Sequence, residues 1–348
     1  MDIASMAFER VSEPREKAFT ILVPQGWQLE GGMVRPDFRR QWIGPQTIEV
    51  KVDLIVKRDD QASVMLRFCP EVKYCDPRCL ITAQMGLTRV GDLYRDMPVY
   101  PVMSPIEYLR EIVFPWAHPN ARGVEVVEEK EMPELVERYL SYVVSPLIQS
   151  VEHRGGGVTF DYVEGALRLR EKAYTVIENL GAFFGGMWSN KTTMLHRAPA
   201  DEFAQWEPVL QRIQDSVELN PAWIVEERIS QEMLTLSFMD MQAMERWRFQ
   251  RLLDIQRETQ DTLQRMRESQ MRGYARWRHR PGLPFLGYEP FYNPFLGRVE
   301  YCPSYWRYRW VTPMGHEFYT DHASDNPNVD HVCDRSDWQP SPIKDDEA

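Results

Sequence analysis

No apolar stretch in this 348-residue chain reaches about 18 residues before a charged side chain interrupts it, so no membrane-spanning helix, and no membrane insertion, is expected. The opening residues, Met1 to Arg10, carry an acidic second position and no apolar core, so they do not read as a secretory signal. Cysteine is scarce and odd in number, five in all, which is not a disulfide framework. Cys69, Cys75 and Cys79 stand in Cys-x5-Cys-x3-Cys spacing, at most half of a four-ligand zinc site; reduced thiols are the expectation. Positive charge is outnumbered: 41 Lys and Arg against 52 Asp and Glu give a net charge of −11, which argues against a chain-wide nucleic-acid footprint. The expected setting is cytoplasmic.

Catalytic signatures are missing as well. There is no Gly-x-Ser-x-Gly elbow and no His-Glu-x-x-His. Gly185 to Thr192 approximates a phosphate loop, but Asn190 replaces the glycine before Lys191, and a turn between strands is the expected role. His316, Glu317, His322, Asp325 and His331 form the densest histidine neighbourhood without ligand spacing on a helical face, and read as incidental surface residues. The paired carboxylates Glu128-Glu129 and Glu226-Glu227 lie in polar stretches that would not raise a carboxyl pKa. A protein that is not an enzyme and carries neither cofactor nor metal is expected.

What is present is an ordinary globular composition, 43% hydrophobic and 12% aromatic. Ala18 to Pro24 reads as a strand stopped by proline. Ile48 to Lys57 alternates cleanly, with apolar residues at 48, 50, 52, 54 and 56, and pairs with Ser63 to Cys69 across an Asp59-Asp60 turn. Ser104-Pro105 opens a helix whose apolar face is Ile106, Leu109, Ile112 and Val113, and Pro115 is expected to end it. Val124 to Val127 reads as a short strand, Pro133 to Val144 as a second helix, and Gly155-Gly156-Gly157 as a flexible loop. Three short strands follow, over 158–162, 167–170 and 173–180. Asp201 to Val217 is a core-facing helix through Phe203, Trp206, Leu210 and Ile213. The order of elements predicts an α+β fold, a twisted antiparallel sheet flanked by helices, over residues 15–224, with 1–14 as an N-terminal extension.

Phe19-Thr20-Ile21-Leu22-Val23-Pro24-Gln25-Gly26-Trp27 resembles the opening strand of the PsbP/Mog1-like superfamily of bacterial and organellar α/β proteins. The run from Arg197-Ala198-Pro199-Ala200-Asp201-Glu202-Phe203 through Trp206-Glu207-Pro208 to Ile213-Gln214-Asp215-Ser216-Val217 resembles its closing helix. The resemblance covers about residues 15–224 and implies a twisted antiparallel sheet between helices. It also implies protein binding, since members mostly bind a small GTPase, a photosystem or a secreted effector. It carries over no catalytic residue, and this chain is much longer than the family pattern.

Beyond that domain, residues 225–280 read as a long Arg-rich helix, of which the fifty residues from about Ile224 to Gly273 would project roughly 75 Å if unbroken. Between 246 and 280 ten Arg and no Lys face four acids. Three readings stand for this stripe: a solvated face with local ion pairs, a docking face for an acidic protein surface, or a phosphate-contacting stripe. Residues 281–348 form an extended aromatic and proline-rich arm with a hairpin over 305–320 and a frayed acidic end. Its aromatics are too many for a linker and are expected to wrap a surface, with Trp306 and Trp310 on one strand face as anchors.

These features predict a scaffold or adaptor that docks a protein partner or sister subunits through Arg265, Arg267, Arg272, Arg276, Trp277, Trp306, Trp310 and Tyr319. The alternative is a nucleic-acid-associated protein using Arg246 to Arg280. If the arm wraps a folded surface, deleting 281–348 is expected to leave 15–224 folded but to abolish assembly or partner binding.

Overall fold

The computed structural model describes residues 5–35, 46, 50–141, 151–235, 251, 254–255, 257–265 and 288–343. Among the described residues, two large antiparallel sheets, two two-stranded ribbons and a few helices build an α+β fold. The second half of the larger sheet runs through the long strands Met187–Pro199, Leu167–Gly181, Glu152–Glu164 and Arg122–Glu131, and its first half is Gln28–Val34, Lys51–Lys57 and Met65–Phe68. The alternating run pairs as expected, with Leu54 opposite Phe68 and Lys57 opposite Met65. Leu54 and Val56 are fully buried, because every second side chain of a strand points to the same face.

The smaller sheet joins the two ends of the chain. Its order is Glu218–Leu219, Phe19–Pro24, Ser5–Ser12, Glu317–Thr320, Tyr308–Val311 and Gln339–Ser341. The stretch expected to be an N-terminal extension therefore contains an inner strand, and the expected arm supplies its next neighbours. Met6 stands opposite Tyr319 and Phe8 opposite Glu317 on one side, and Phe8 stands opposite Pro24 on the other. The acidic end expected to fray, Lys344 to Glu347, lies outside the described residues; ahead of it Trp338 is buried and Ser341 pairs with Arg309, because an apolar ring and a row of backbone groups find partners there.

The helix Phe203–Asp215 buries Phe203, Trp206, Leu210 and Ile213 as its spacing requires, in a core shared with Phe8, Leu22, Leu54, Phe291 and Trp306. Ser104 opens the other expected helix with a capping box: its hydroxyl accepts from the Glu107 amide at 3.2 Å, and the Glu107 carboxylate accepts from the Ser104 amide at 2.8 Å. Pro115 does not end it. A wide π turn at Leu109–Val113 leaves room for the proline ring, and Phe114–Ala117 continues the helix.

Two further expectations change. Gly155, Gly156 and Gly157 are not a loop but lie buried inside Glu152–Glu164. A Cβ at Gly155 would come within 2.4 Å of the Met132 carbonyl, and one at Gly156 within 2.9 Å of Pro105, so close approach of neighbouring elements explains the glycines. The three short strands are two long ones, paired in register from Glu152–Asn179 to Glu164–Leu167.

A single projecting helix over 225–280 does not survive either. Val225 and Ile229, on the helix Pro221–Thr235, bury against Ile255, and Arg228 reaches Glu258 at 3.1 Å. In an unbroken helix Ile229 and Ile255 would be about 39 Å apart, so these helical segments are paired rather than collinear. Among the described residues no helix is long and apolar enough to cross a membrane.

Candidate functional site

Among the described residues, those expected to bind a partner are not brought together. Arg265 ends the described part of its helix, exposed, with its guanidinium on the Asp261 carbonyl at 3.3 Å. Arg267, Arg272, Arg276 and Trp277 lie outside the described residues. Trp306 and Tyr319 have no exposed surface, and their rings sit 4.7 Å apart beside Phe8. A ring with no exposed surface offers none to a separate molecule, so these two serve the chain's own core. Trp310 lies half-buried on the opposite face, with Ala7, Phe318 and Trp338. The expectation that Trp306 and Trp310 share a face is corrected because the strand begins at Tyr308, so alternation does not extend back to Trp306.

Where the arm meets the closing helix, the structure buries a charged cluster that local sequence did not signal. Arg212 donates to Glu317 through Nε at 2.9 Å and through a second nitrogen. Arg309 donates to Glu317 at 3.0 Å and to Glu300 at 2.6 Å, and the Tyr319 hydroxyl donates to Glu317 at 2.6 Å. Burial alone would raise the Glu317 carboxyl, but the two guanidinium groups and these hydrogen bonds bring it down to about 2. Two cations balance two carboxylates, and Glu317 is fully engaged as an acceptor. That arrangement fixes the hairpin on the helix, and it is structural chemistry.

A second polar cluster lies inside the larger sheet. His118 Nε2 is 2.9 Å from both Glu171 carboxylate oxygens, and Arg197 donates to Glu164 at 2.9 Å. Burial, reinforced by the Glu171 charge, raises the Tyr162 hydroxyl between them and keeps it protonated. A shallow groove of about 140 Å³ lies nearer the edge, but Glu152 there is held by Asn179 at 3.0 Å and Arg154 by Glu131 at 3.1 Å. Of the clustered cysteines, Cys69 is pushed up to about 12 by burial, and the Cys75 thiol donates to the Gly185 carbonyl at 3.4 Å.

The feature that stands out on the surface is an excursion between the strand Lys73–Cys75 and Tyr100. Its root is firm. The Asp76 carboxylate caps the turn Pro77–Cys79, and Cys75, Leu80, Met97 and Val99 form a small core of their own. Backbone bonds from Leu87 to Thr82 and from Val99 to Asp92 shape the loop above it. On that loop Ile81, Met85, Leu87, Val90 and Leu93 are each 57 to 75% exposed. Sequence reasoning passed over this segment because its apolar residues follow neither a period of two nor a sustained helical one. The available signal was five large apolar side chains within thirteen residues that no strand or helix had claimed.

No protein-family model matches the chain, and no curated protein matches it. Among solved structures the chain is similar to the solution structure of cyanobacterial PsbP (CyanoP) from Synechocystis sp., at 12% identity over 63% of this chain and 95% of that one, with a TM-score of 0.26. That is a weak, fold-level resemblance.

Proposed function

We propose that the protein is a non-enzymatic interaction or assembly protein, and that it docks through the apolar loop over residues 81–93. The observation that carries this reading is the exposure of Ile81, Met85, Leu87, Val90 and Leu93 on a rooted, hydrogen-bonded loop. Apolar side chains scattered singly on a surface need no explanation, whereas a concentration of them on one projecting element marks an interaction site. The aromatic arm has a different part in this reading: it completes the smaller sheet and so holds the domain that presents the loop.

The test compares the full chain with a Leu87→Ser, Leu93→Ser double variant, by sedimentation and by quantitative copurification from the native host. An association, with itself or with another protein, that the variant loses is the expected result. A wild-type protein as monomeric and as unaccompanied as the variant would reject the reading.

A further inference from the structure

Resting on that reading, we infer that the loop over residues 81–93 docks on the same loop of a second copy of this chain, giving a two-fold dimer. A Cβ placed at Gly86 or Gly91 would meet nothing within 4 Å. The five exposed apolar side chains offer on the order of 500 Å² per copy, the size of the largest apolar patch on a typical monomer, which is often a functional one. Two such faces together come to about 1,000 Å², the lower bound for a specific interface.

Charge selects the partner. The whole chain carries −11, yet the loop and its base hold Arg89 and Arg95 against Asp92 and Asp96, a neutral set. In a two-fold interface each surface meets itself, so a patch must be its own electrostatic complement, and equal numbers of both signs satisfy that requirement. An anionic lipid surface would call for an excess of Arg or Lys, which this loop lacks. A strongly basic or acidic partner would likewise gain nothing from a neutral loop. The firm root, with Leu80, Met97 and Val99 packed beneath, holds the loop before binding and reduces the ordering cost of association.

Sedimentation velocity on the full chain over a wide concentration range tests the inference. The wild type should dimerise, and Leu87→Ser with Leu93→Ser should weaken the dimer by roughly a hundredfold. Leu87→Cys should form a disulfide-linked dimer under mild oxidation. A dimer that the double variant leaves intact overturns the inference. So does a monomeric wild type, and the source of the error is then readable. If a different host protein is lost from the variant, the second-copy inference falls while the interaction reading stands. If the wild type sediments with neutral phosphatidylcholine vesicles and the variant does not, the loop binds lipid and both fall. If the loop amides resist hydrogen exchange in a monomer that retains nothing, the loop is covered by its own chain and both fall.

Discussion

Arg212, on the closing helix, donates to Glu317, 105 positions further along the chain, and both side chains are buried. This pair fastens the C-terminal hairpin to the helix of the N-terminal two-thirds. Removing one member of such a cluster leaves charge without compensation in a dry site.

Glu317→Gln should therefore destabilise the protein by about 3–5 kcal/mol in chemical denaturation. The pH dependence has a definite sign. Glu317 has a folded pKa of about 2 against an ordinary value of 4.5, so its contribution is complete above about 4.5 and is lost as the pH falls through 2. The variant should lack that acid limb. An unchanged profile below pH 4.5 would show that the pair contributes nothing to acid sensitivity.

The pairing of Ser5–Ser12 with Glu317–Thr320 replaces the expectation that residues 15–224 stay folded without 281–348. Its deletion would strip Met6 and Phe8 of Tyr319 and Trp306, whose rings pack edge-on against Phe8 at 5.7 and 6.4 Å. Residues 5–24 should then lose their slow hydrogen exchange. Trp306→Ala, a milder test, should cost about 3–5 kcal/mol. Retention of native protection in the deletion variant would count against the shared sheet.

Glu13 organises the turn after the first strand. Its carboxylate accepts from the backbone amides of Arg15 at 2.9 Å, Glu16 at 2.7 Å, Ala18 at 3.4 Å and Met33 at 2.8 Å. Burial would raise this carboxyl, but those amides hold it below its ordinary value. A Cβ at Gly32, whose φ is +130°, would stand 2.1 Å from the same carboxylate. Gly32→Ala should accordingly destabilise by about 1–3 kcal/mol, through strain and displacement of Glu13. Thermal unfolding reads this directly, and a neutral outcome would mean that the turn adjusts freely.

His196 is a second source of acid sensitivity, with a different window. It is buried beside Tyr174, whose hydroxyl lies 2.7 Å from Nε2 and donates to Gln214 at 2.7 Å. Burial, with help from the Lys172 charge, lowers the imidazole to about 3. A depressed histidine is neutral in the folded state and protonates on unfolding, so stability is complete above about 6.5 and declines as the pH falls toward 3. His196→Phe should flatten the profile between about 6.5 and 4.5 while leaving the Glu317 limb, which begins at about 4.5. Loss of stability on acidification that is identical in the variant would assign the effect elsewhere.

Short-range physics was legible in the sequence. The alternation of Val52, Leu54 and Val56 marked a strand, the spacing of Phe203, Trp206, Leu210 and Ile213 marked a buried helical face, and Ser104-Pro105 marked a helix start. Each is settled by a residue's own backbone preferences and near neighbours. The tail hairpin was legible for the same reason, since Thr312 to Gly315 close it locally.

Only the tertiary structure decided what those elements face. A periodic pattern says that a face is buried but not against what, so nothing near Ser5–Ser12 announced a partner at the opposite end of the chain. Arg212, Arg309 and Glu317 look in sequence like surface charges, and only the arrival of the opposite charge makes their burial tolerable. The glycines at 155–157 resembled a loop until the approach of Met132 and Pro105 showed why no Cβ fits. Ile81, Met85, Leu87, Val90 and Leu93 posed the converse case. Their chemistry argued for burial, and only the positions of all the other elements showed that the described fold leaves them in water, because exposure is a property of the whole surface rather than of a segment.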